Sequence, residues 1–280
     1  MTSNSEADIS RLSLAELENR GERMVPEYTG GSTFWEHVYR YAFACRFVRA
    51  KRALDVACGE GYGAAALRSA GAASVIGVDV NEEICLHARK KYELDARVGS
   101  AEDIPVAGRT VDIVVSFETI EHVPDPFRFL DECVRVLAPG GTLVISTPKK
   151  NVYSWPGDVQ NPHHCSEMTE DEFVRALRER FRSVRLYSQR PKRAALWSPR
   201  IFAAEYPPSV TGIERLRRSA QFRLFPRAVY DPSSTERKSA VEVIVNASSS
   251  DGGMLNPYAV RPRSSWHREI PMYLIGTAIL

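Results

Sequence analysis

Ala53-Leu54-Asp55-Val56-Ala57-Cys58-Gly59-Glu60-Gly61-Tyr62-Gly63 runs from a short apolar segment straight into three glycines at alternate positions. The apolar run has strand length, and Tyr62 to Ser69 carries helical spacing. A strand that turns through glycines into a helix makes a ligand cradle, because a Cβ at those glycines would occupy the ligand's place. The carboxylate of Asp55 lies just ahead of the turn. Alone, G-x-G-x-G is a weak signal, since such turns also bind dinucleotides or merely join a strand to a helix.

Outward from the turn, apolar runs alternate with amphipathic helical patterns. Strands are expected at Ala53 to Ala57, Ser74 to Val80, Ala96 to Gly99, Val111 to Ser116 and Gly141 to Thr147. Helices are expected at Tyr62 to Ser69, Glu82 to Tyr92, Pro126 to Val136 and Thr169 to Phe181, the last opened by a Thr169-x-x-Glu172 capping box. The alternation predicts an α/β, Rossmann-like three-layer sandwich on a mostly parallel seven-stranded sheet. Val184 to Tyr187 and Ala240 to Ala247 read as the last two strands. The domain reading is an N-terminal helical lid (1–50), a core (51–189 and 240–250), an insertion forming a substrate cap or oligomer contact (190–239), and a C-terminal tail (251–280).

Composition narrows the function classes. The 280 residues are 44% hydrophobic and 26% charged with a net charge of +2, the balance of a globular protein without a field to hold nucleic acid or an anionic membrane. The five cysteines are widely spaced, with no C-x-x-C pair and no metal-ligand rhythm, so a reduced cytoplasmic protein without a metal is expected. The first twenty residues lack the apolar core of a signal peptide, and the apolar end, Ile270 to Leu280, is shorter than the roughly 20 residues of a membrane span. Both ends suit packing on a second subunit, and a homo-oligomer is expected.

The second strand ends in Asp79, an acid at the carboxyl edge of the sheet that can accept both hydroxyls of a ribose. Glu60, inside the glycine turn, is expected to repel a pyrophosphate, and no Walker lysine follows. The G-x-G-x-x-G spacing of a nicotinamide dehydrogenase is also missing. An adenosyl ligand without phosphates fits these residues best.

At this point the chain resembles the class I S-adenosylmethionine-dependent methyltransferases over roughly residues 23–181, nearest to small-molecule and sugar-type members. Leu54 to Gly61 is similar to the family's first motif, Asp79 to its ribose acid, and Gly99-Ser100-Ala101-Glu102-Asp103-Ile104-Pro105 to its adenine loop, with Ser100 where many relatives have Asp. Phe117-Glu118-Thr119-Ile120-Glu121-His122-Val123 resembles the fourth motif, and Arg135 to Gly141 the turn before strand five. The resemblance implies S-adenosyl-L-methionine as cofactor, bound by Asp55, Gly59, Gly61, Asp79, Val80, Ser100, Ala101, Glu102, Phe117 and Arg23. The upstream Glu36-His37-x-x-Arg40-Tyr41 looks like a segment that closes over the cofactor in small-molecule relatives.

Methyl transfer from a sulfonium needs alignment and exclusion of water, and a base when the acceptor carries a proton. Asn161-Pro162-His163-His164 resembles the Asn-Pro-x-His segment of natural-product and sugar methyltransferases, which puts His164 first and His163 second as catalytic candidates. His122, beside Glu121, is the third. A small-molecule acceptor of natural-product biosynthesis is the leading reading. A prenyl carbon acceptor and a non-catalytic cofactor-binding scaffold are the alternatives, and the aromatics and Arg215-x-Arg217-Arg218 of the insertion favour an acceptor wall or a solvated face over an RNA site.

Overall fold

The computed structural model describes residues 24–26, 29, 31–150, 161–189, 239–249, 260–262 and 273–280. Helix α1 (Gly31–Cys45) precedes a run of six strands and four helices: β1 (Arg52–Val56), α2 (Tyr62–Ser69), β2 (Ser74–Asp79), α3 (Glu82–Tyr92), β3 (Asp95–Val98), β4 (Val111–Phe117), α4 (Pro126–Val136), β5 (Leu137–Pro148), α5 (Glu170–Arg178) and β6 (Ser183–Gln189). The chain then supplies α6 (Ala240–Ser249), the two-residue β7 (Arg261–Pro262) and β8 (Tyr273–Ile279).

The helices begin where their caps predict. Asn81 Oδ1 accepts the Ile84 N–H at the start of α3, and Asp125 accepts the N–H groups of Phe127 and Arg128 at α4, with Pro126 at the first helical position. Thr169 and Glu172 close the expected capping box on α5.

The sheet order is β3-β2-β1-β4-β5-β8-β6-β7. β1 to β5 pair in parallel, whereas β8 lies antiparallel between β5 and β6, giving the mostly parallel seven-stranded sheet with β7 added at its edge. One face is covered by α1, α2, α3 and α6 through residues such as Phe34, Leu67, Cys85 and Ile244, the other by α4 and α5 through Phe129, Leu130, Phe173 and Leu177. The order in which strands are added reverses between β1 and β4, with β2 and β3 on one side and β5 on the other, which is the switch point at which open α/β sheets bind ligands.

Two expectations are corrected. Ala240 to Ala247 is not the last strand but part of α6, whose Ala240 and Ile244 are buried in the α1 and α2 layer. The alternating β-branched residues of that stretch mimic a strand, and packing against two helices overrides the propensity. The last strand comes instead from the expected tail, where Tyr273 to Ala278 is buried throughout between two neighbouring strands. The insertion between the last two main strands, β6 and β8, therefore runs on through α6. Among the described residues, no helix is long and apolar enough to cross a membrane.

Candidate active site

A cavity of about 850 Å³ opens at the carboxyl ends of β1, β2 and β4. It is lined at one end by Ala57, Cys58, Gly59, Asp79, Val80, Ser100, Ala101 and Glu102, and at the other by Glu118, Glu121, His122, His163 and His164, with α1 and Phe117 between. Ala57 and Glu118, directly after β1 and β4, both hold left-handed backbone (φ 58° and 51°). Each costs roughly 1–2 kcal/mol, a strain that surrounding structure holds in place at ligand sites.

The glycine turn divides its labour. Gly59 (φ +53°) lines the cavity, and a Cβ built on it would meet nothing within 4 Å, so the open side belongs to a ligand. Gly61 (φ +100°) does not line the cavity; its missing Cβ would lie 2.9 Å from Ala88 and Leu94, which makes it the close-packing point of the turn on α3 and the following loop. Gly63 likewise lies against the Tyr41 ring.

Asp79 lines the cavity with its oxygens already oriented: Oδ2 accepts the Gly59 N–H at 3.0 Å and Oδ1 the Asn81 N–H at 3.0 Å. Beside it Val80 is 72% exposed, an apolar side chain that the described residues leave largely uncovered at the cavity. Ser100 Oγ accepts the Glu102 N–H, and Glu102 Oε1 accepts the Asp125 N–H at 2.9 Å, fixing the next wall.

Asp55 is fully buried beneath the turn and is not part of the lining. Its two oxygens accept the Tyr41 hydroxyl at 3.2 and 3.1 Å, and burial pushes its carboxyl up to about 8 against the lowering effect of that bond, with Asp79 adding to the rise. Its place is a strut between β1 and α1. Glu60 also turns away from the cavity: its buried carboxylate meets Lys91 Nζ at 2.7 Å, Tyr92 Oη at 2.7 Å and His87 Nε2 at 3.1 Å. The expected repulsion of a pyrophosphate by Glu60 is therefore incorrect, because that charge is neutralised on α3. Arg23 lies outside the described residues.

All three candidate histidines meet at the far end. The loop at 161–167 is pinned there by the N–H groups of Cys165 and Ser166, which donate to the Glu121 carbonyl at 2.7 and 3.0 Å, and by Ser166 Oγ on the Ile120 carbonyl. His122 and His164 rings then pack edge to face, 4.9 Å between centroids. His122 Nδ1 bonds the His163 carbonyl at 2.9 Å, and His164 Nδ1 meets Glu167 Oε1 at 2.6 Å. Since a carbonyl or carboxylate accepts, each ring carries its proton on Nδ1, and in the neutral tautomer Nε2 is the basic nitrogen.

The charged residues between the two ends were named in the sequence only within motifs, Arg40 in the segment expected to close over the cofactor and Glu118 and Glu121 in the fourth motif, without roles of their own. Arg40 of α1 is fully buried at the cavity wall, 3.4 Å from Glu118 Oε1 and stacked 4.6 Å over the Tyr273 ring, yet its Nε–H and Nη1–H donate no hydrogen bond. Glu118 accepts the Ser146 hydroxyl at 2.6 Å. Glu121 accepts Thr147 Oγ1 at 3.2 Å on one oxygen, and burial followed by the Glu118 charge pushes its carboxyl well above the carboxylate range. The role of Glu121 depends on a loop more than forty positions away and leaves no local mark.

Comparison with known proteins follows the geometry. Residues 54–145 match the family described as a methyltransferase domain. A Mycolicibacterium smegmatis protein named "probable S-adenosylmethionine-dependent methyltransferase" is 37% identical over 164 residues, 56% of this chain and 62% of that protein. A ubiquinone biosynthesis O-methyltransferase of Cereibacter sphaeroides is 38% identical over 109 residues, 37% of this chain and 44% of that one. The chain thus spans at most 62% of the length of these relatives. Among solved structures, an S-adenosylmethionine-dependent methyltransferase from Archaeoglobus fulgidus shares the fold over 95% of this chain and 98% of its own, with a TM-score of 0.53 at 18% identity.

Proposed function

We propose that this protein, whose residues 54–145 match a methyltransferase domain, is a class I S-adenosylmethionine-dependent methyltransferase that transfers a methyl group to a small-molecule acceptor of the secondary-metabolite or sugar type. The observation that carries the reading is one continuous cavity with an adenosyl-type end at Gly59, Asp79 and Val80 and a histidine-lined end at His122, His163 and His164.

The residues at the first end suit the cofactor. Gly59 admits its methionine part, the carboxylate of Asp79 at the carboxyl end of β2 accepts the ribose hydroxyls, and Val80, Ser100, Ala101 and Glu102 border the adenine. The Nε and Nη1 atoms of buried Arg40, which donate no hydrogen bond although Nη1 faces Glu118 at 3.4 Å, suit a carboxylate such as that of methionine, which would offset the cost of burying them. When bound, the cofactor supplies an electrophilic methyl group on sulfur. The chain's own contribution is to align the acceptor in line with that methyl, to exclude water with α1, and to meet the acceptor's proton with basic imidazole nitrogens.

The polar far end favours an oxygen or nitrogen acceptor over a prenyl carbon, whose developing cation would call for an aromatic wall. Similarity to an O-methyltransferase of ubiquinone biosynthesis points the same way. The test is calorimetric titration with S-adenosylmethionine and S-adenosylhomocysteine, then a mass screen of hydroxyl- and amine-bearing acceptors. Micromolar cofactor binding and a product heavier by one methylene are expected. Absence of binding by either compound overturns the reading, and binding without any methylated product across the screen would favour a scaffold.

A further inference from the structure

We propose that Glu121, His122 and His164 hold a divalent cation of the Zn²⁺ or Mn²⁺ kind at the acceptor end of the cavity, and that this ion engages the acceptor through a hydroxyl oxygen. The binding of the ion stands on side-chain geometry alone; its role rests on the methyl-transfer reading.

One ligand atom from each of the three residues lies within 4.8 Å of the others, the one such grouping among the described residues. One carboxylate with two imidazoles is a donor set that suits borderline divalent ions and leaves coordination positions open for water or substrate. A tetrahedral ion with bonds near 2.05 Å separates its ligands by roughly 3.4 Å, so these side chains would close by about an ångström on loading. Glu121 Oε1 and His122 Nε2 are already 3.9 Å apart.

An independent observation points into the same spot. Glu121 is fully buried in the cavity wall, and its Oε1 accepts no hydrogen bond although Oε2 is held by Thr147. A buried carboxylate oxygen without a donor is costly, and a cation is the partner that removes the cost. The surrounding charge agrees: Glu118 faces Arg40, whereas Glu121 has no Lys or Arg within ion-pair distance among the described residues.

The supports also match those of a metal centre. Metal-bound histidines hand their other ring nitrogen to a carbonyl or carboxylate, which fixes the ring and the tautomer. His122 does so with the His163 carbonyl and His164 with Glu167. The Asn-Pro-His-His loop, docked on the Glu121 carbonyl, is what brings His164 to a partner 42 positions earlier.

With the ion in place, an acceptor O–H bound to it becomes more acidic and releases its proton to solvent. The oxygen forms its bond to the methyl carbon as the carbon–sulfur bond breaks, leaving a methyl ether and a thioether. No oxidant or reductant takes part. In this arrangement His164 is a ligand, and acidification by the ion replaces proton removal by a side-chain base.

The test uses the full chain, stripped with a chelator and desalted. Zn²⁺ and Mn²⁺ are titrated calorimetrically into it, Co²⁺ loading is followed by visible absorption, and S-adenosylhomocysteine is titrated in parallel. About one ion per chain is expected, with Glu121→Gln weakening binding by about 100-fold or more and His164→Gln doing the same. Failure of all three ions to bind the unaltered chain, or binding by both variants as tight as that of the unaltered chain, overturns the proposal. S-adenosylhomocysteine separates the two readings: ion binding without it removes the methyl-transfer role and leaves the site, whereas its binding without the ion removes the site and leaves methyl transfer.

Discussion

The two ends of the cavity are both lined with carboxylates, but they are held in different ways. At the adenosyl end, Asp79 and Glu102 are gripped by backbone N–H groups of Gly59, Asn81 and Asp125, all at the ends of strands or the starts of helices. At the acceptor end, Glu118, Glu121 and His164 are held by the side chains of Ser146, Thr147 and Glu167. Backbone donors follow from the fold itself, so any sequence that makes these turns presents the same end. Side-chain partners change with each substitution, which leaves the acceptor end able to vary while the fold stays fixed.

The largest expected effect tests the backbone-held end. Asp79→Ala removes two hydrogen bonds from a charged acceptor to the ribose, each worth about 1.5–3 kcal/mol, so cofactor affinity should fall by about 100-fold or more. Calorimetry with S-adenosylhomocysteine measures it. Affinity within a few-fold of the unaltered chain would mean that Asp79 only braces the turn.

Next in size is a pH effect below the cavity. The Asp55 carboxyl, raised to about 8 by burial, keeps a proton in the folded state that the unfolded chain has already lost near pH 4. The stability it supports is therefore complete below about pH 4 and is lost progressively as pH rises through about 8, at up to about 1.4 kcal/mol per pH unit. Asp55→Asn keeps an acceptor for the Tyr41 hydroxyl and should flatten this slope. Thermal unfolding from pH 5 to pH 8 decides the matter, and an unchanged slope in the variant would assign the pH dependence to another group.

The same contrast explains what could be read from the sequence. β1 to β5, their helices and the place of Asp79 at the cavity were legible because each is written in a contiguous stretch, whether a periodic run, a cap or a glycine turn. β8 was hidden because Tyr273 to Ile279 is made a strand by partners more than a hundred positions away in β5 and some ninety away in β6. α6 was misread because Ala240 to Val245 alternates like a strand, and only its burial against α1 makes it a helix. Glu60 was misjudged for a related reason, since its direction depends on Lys91 and Tyr92 of α3. His122 and His164 could be named singly, but not as a pair with Glu121.

A paired substitution sharpens the division within the glycine turn. Gly61→Ala drives a Cβ to 2.9 Å from Ala88 and Leu94 at φ +100°, and should cost about 1–3 kcal/mol of stability. Gly59→Ala meets no protein atom within 4 Å, and its φ of +53° adds about 1 kcal/mol of strain. Its main expected effect is on ligand binding, because the new methyl group points into the cavity. Melting temperature and S-adenosylhomocysteine affinity, measured on both variants, should therefore change in opposite proportion.

The smallest effect concerns Val80, which no protein atom needs. A side chain 72% exposed contributes little to the core, so Val80→Ala should leave the melting temperature within about a degree. If the adenine covers that side chain, burying its two methyl groups is worth about 1 kcal/mol, and cofactor affinity should fall about fivefold. A change confined to affinity would make Val80 a purely ligand-facing apolar residue at the otherwise backbone-held end. Loss of stability without loss of affinity would instead mean that the segment after β2 is packed in a way unrelated to the cofactor, and the adenine would have to lie on Ala101 and Ser100 alone.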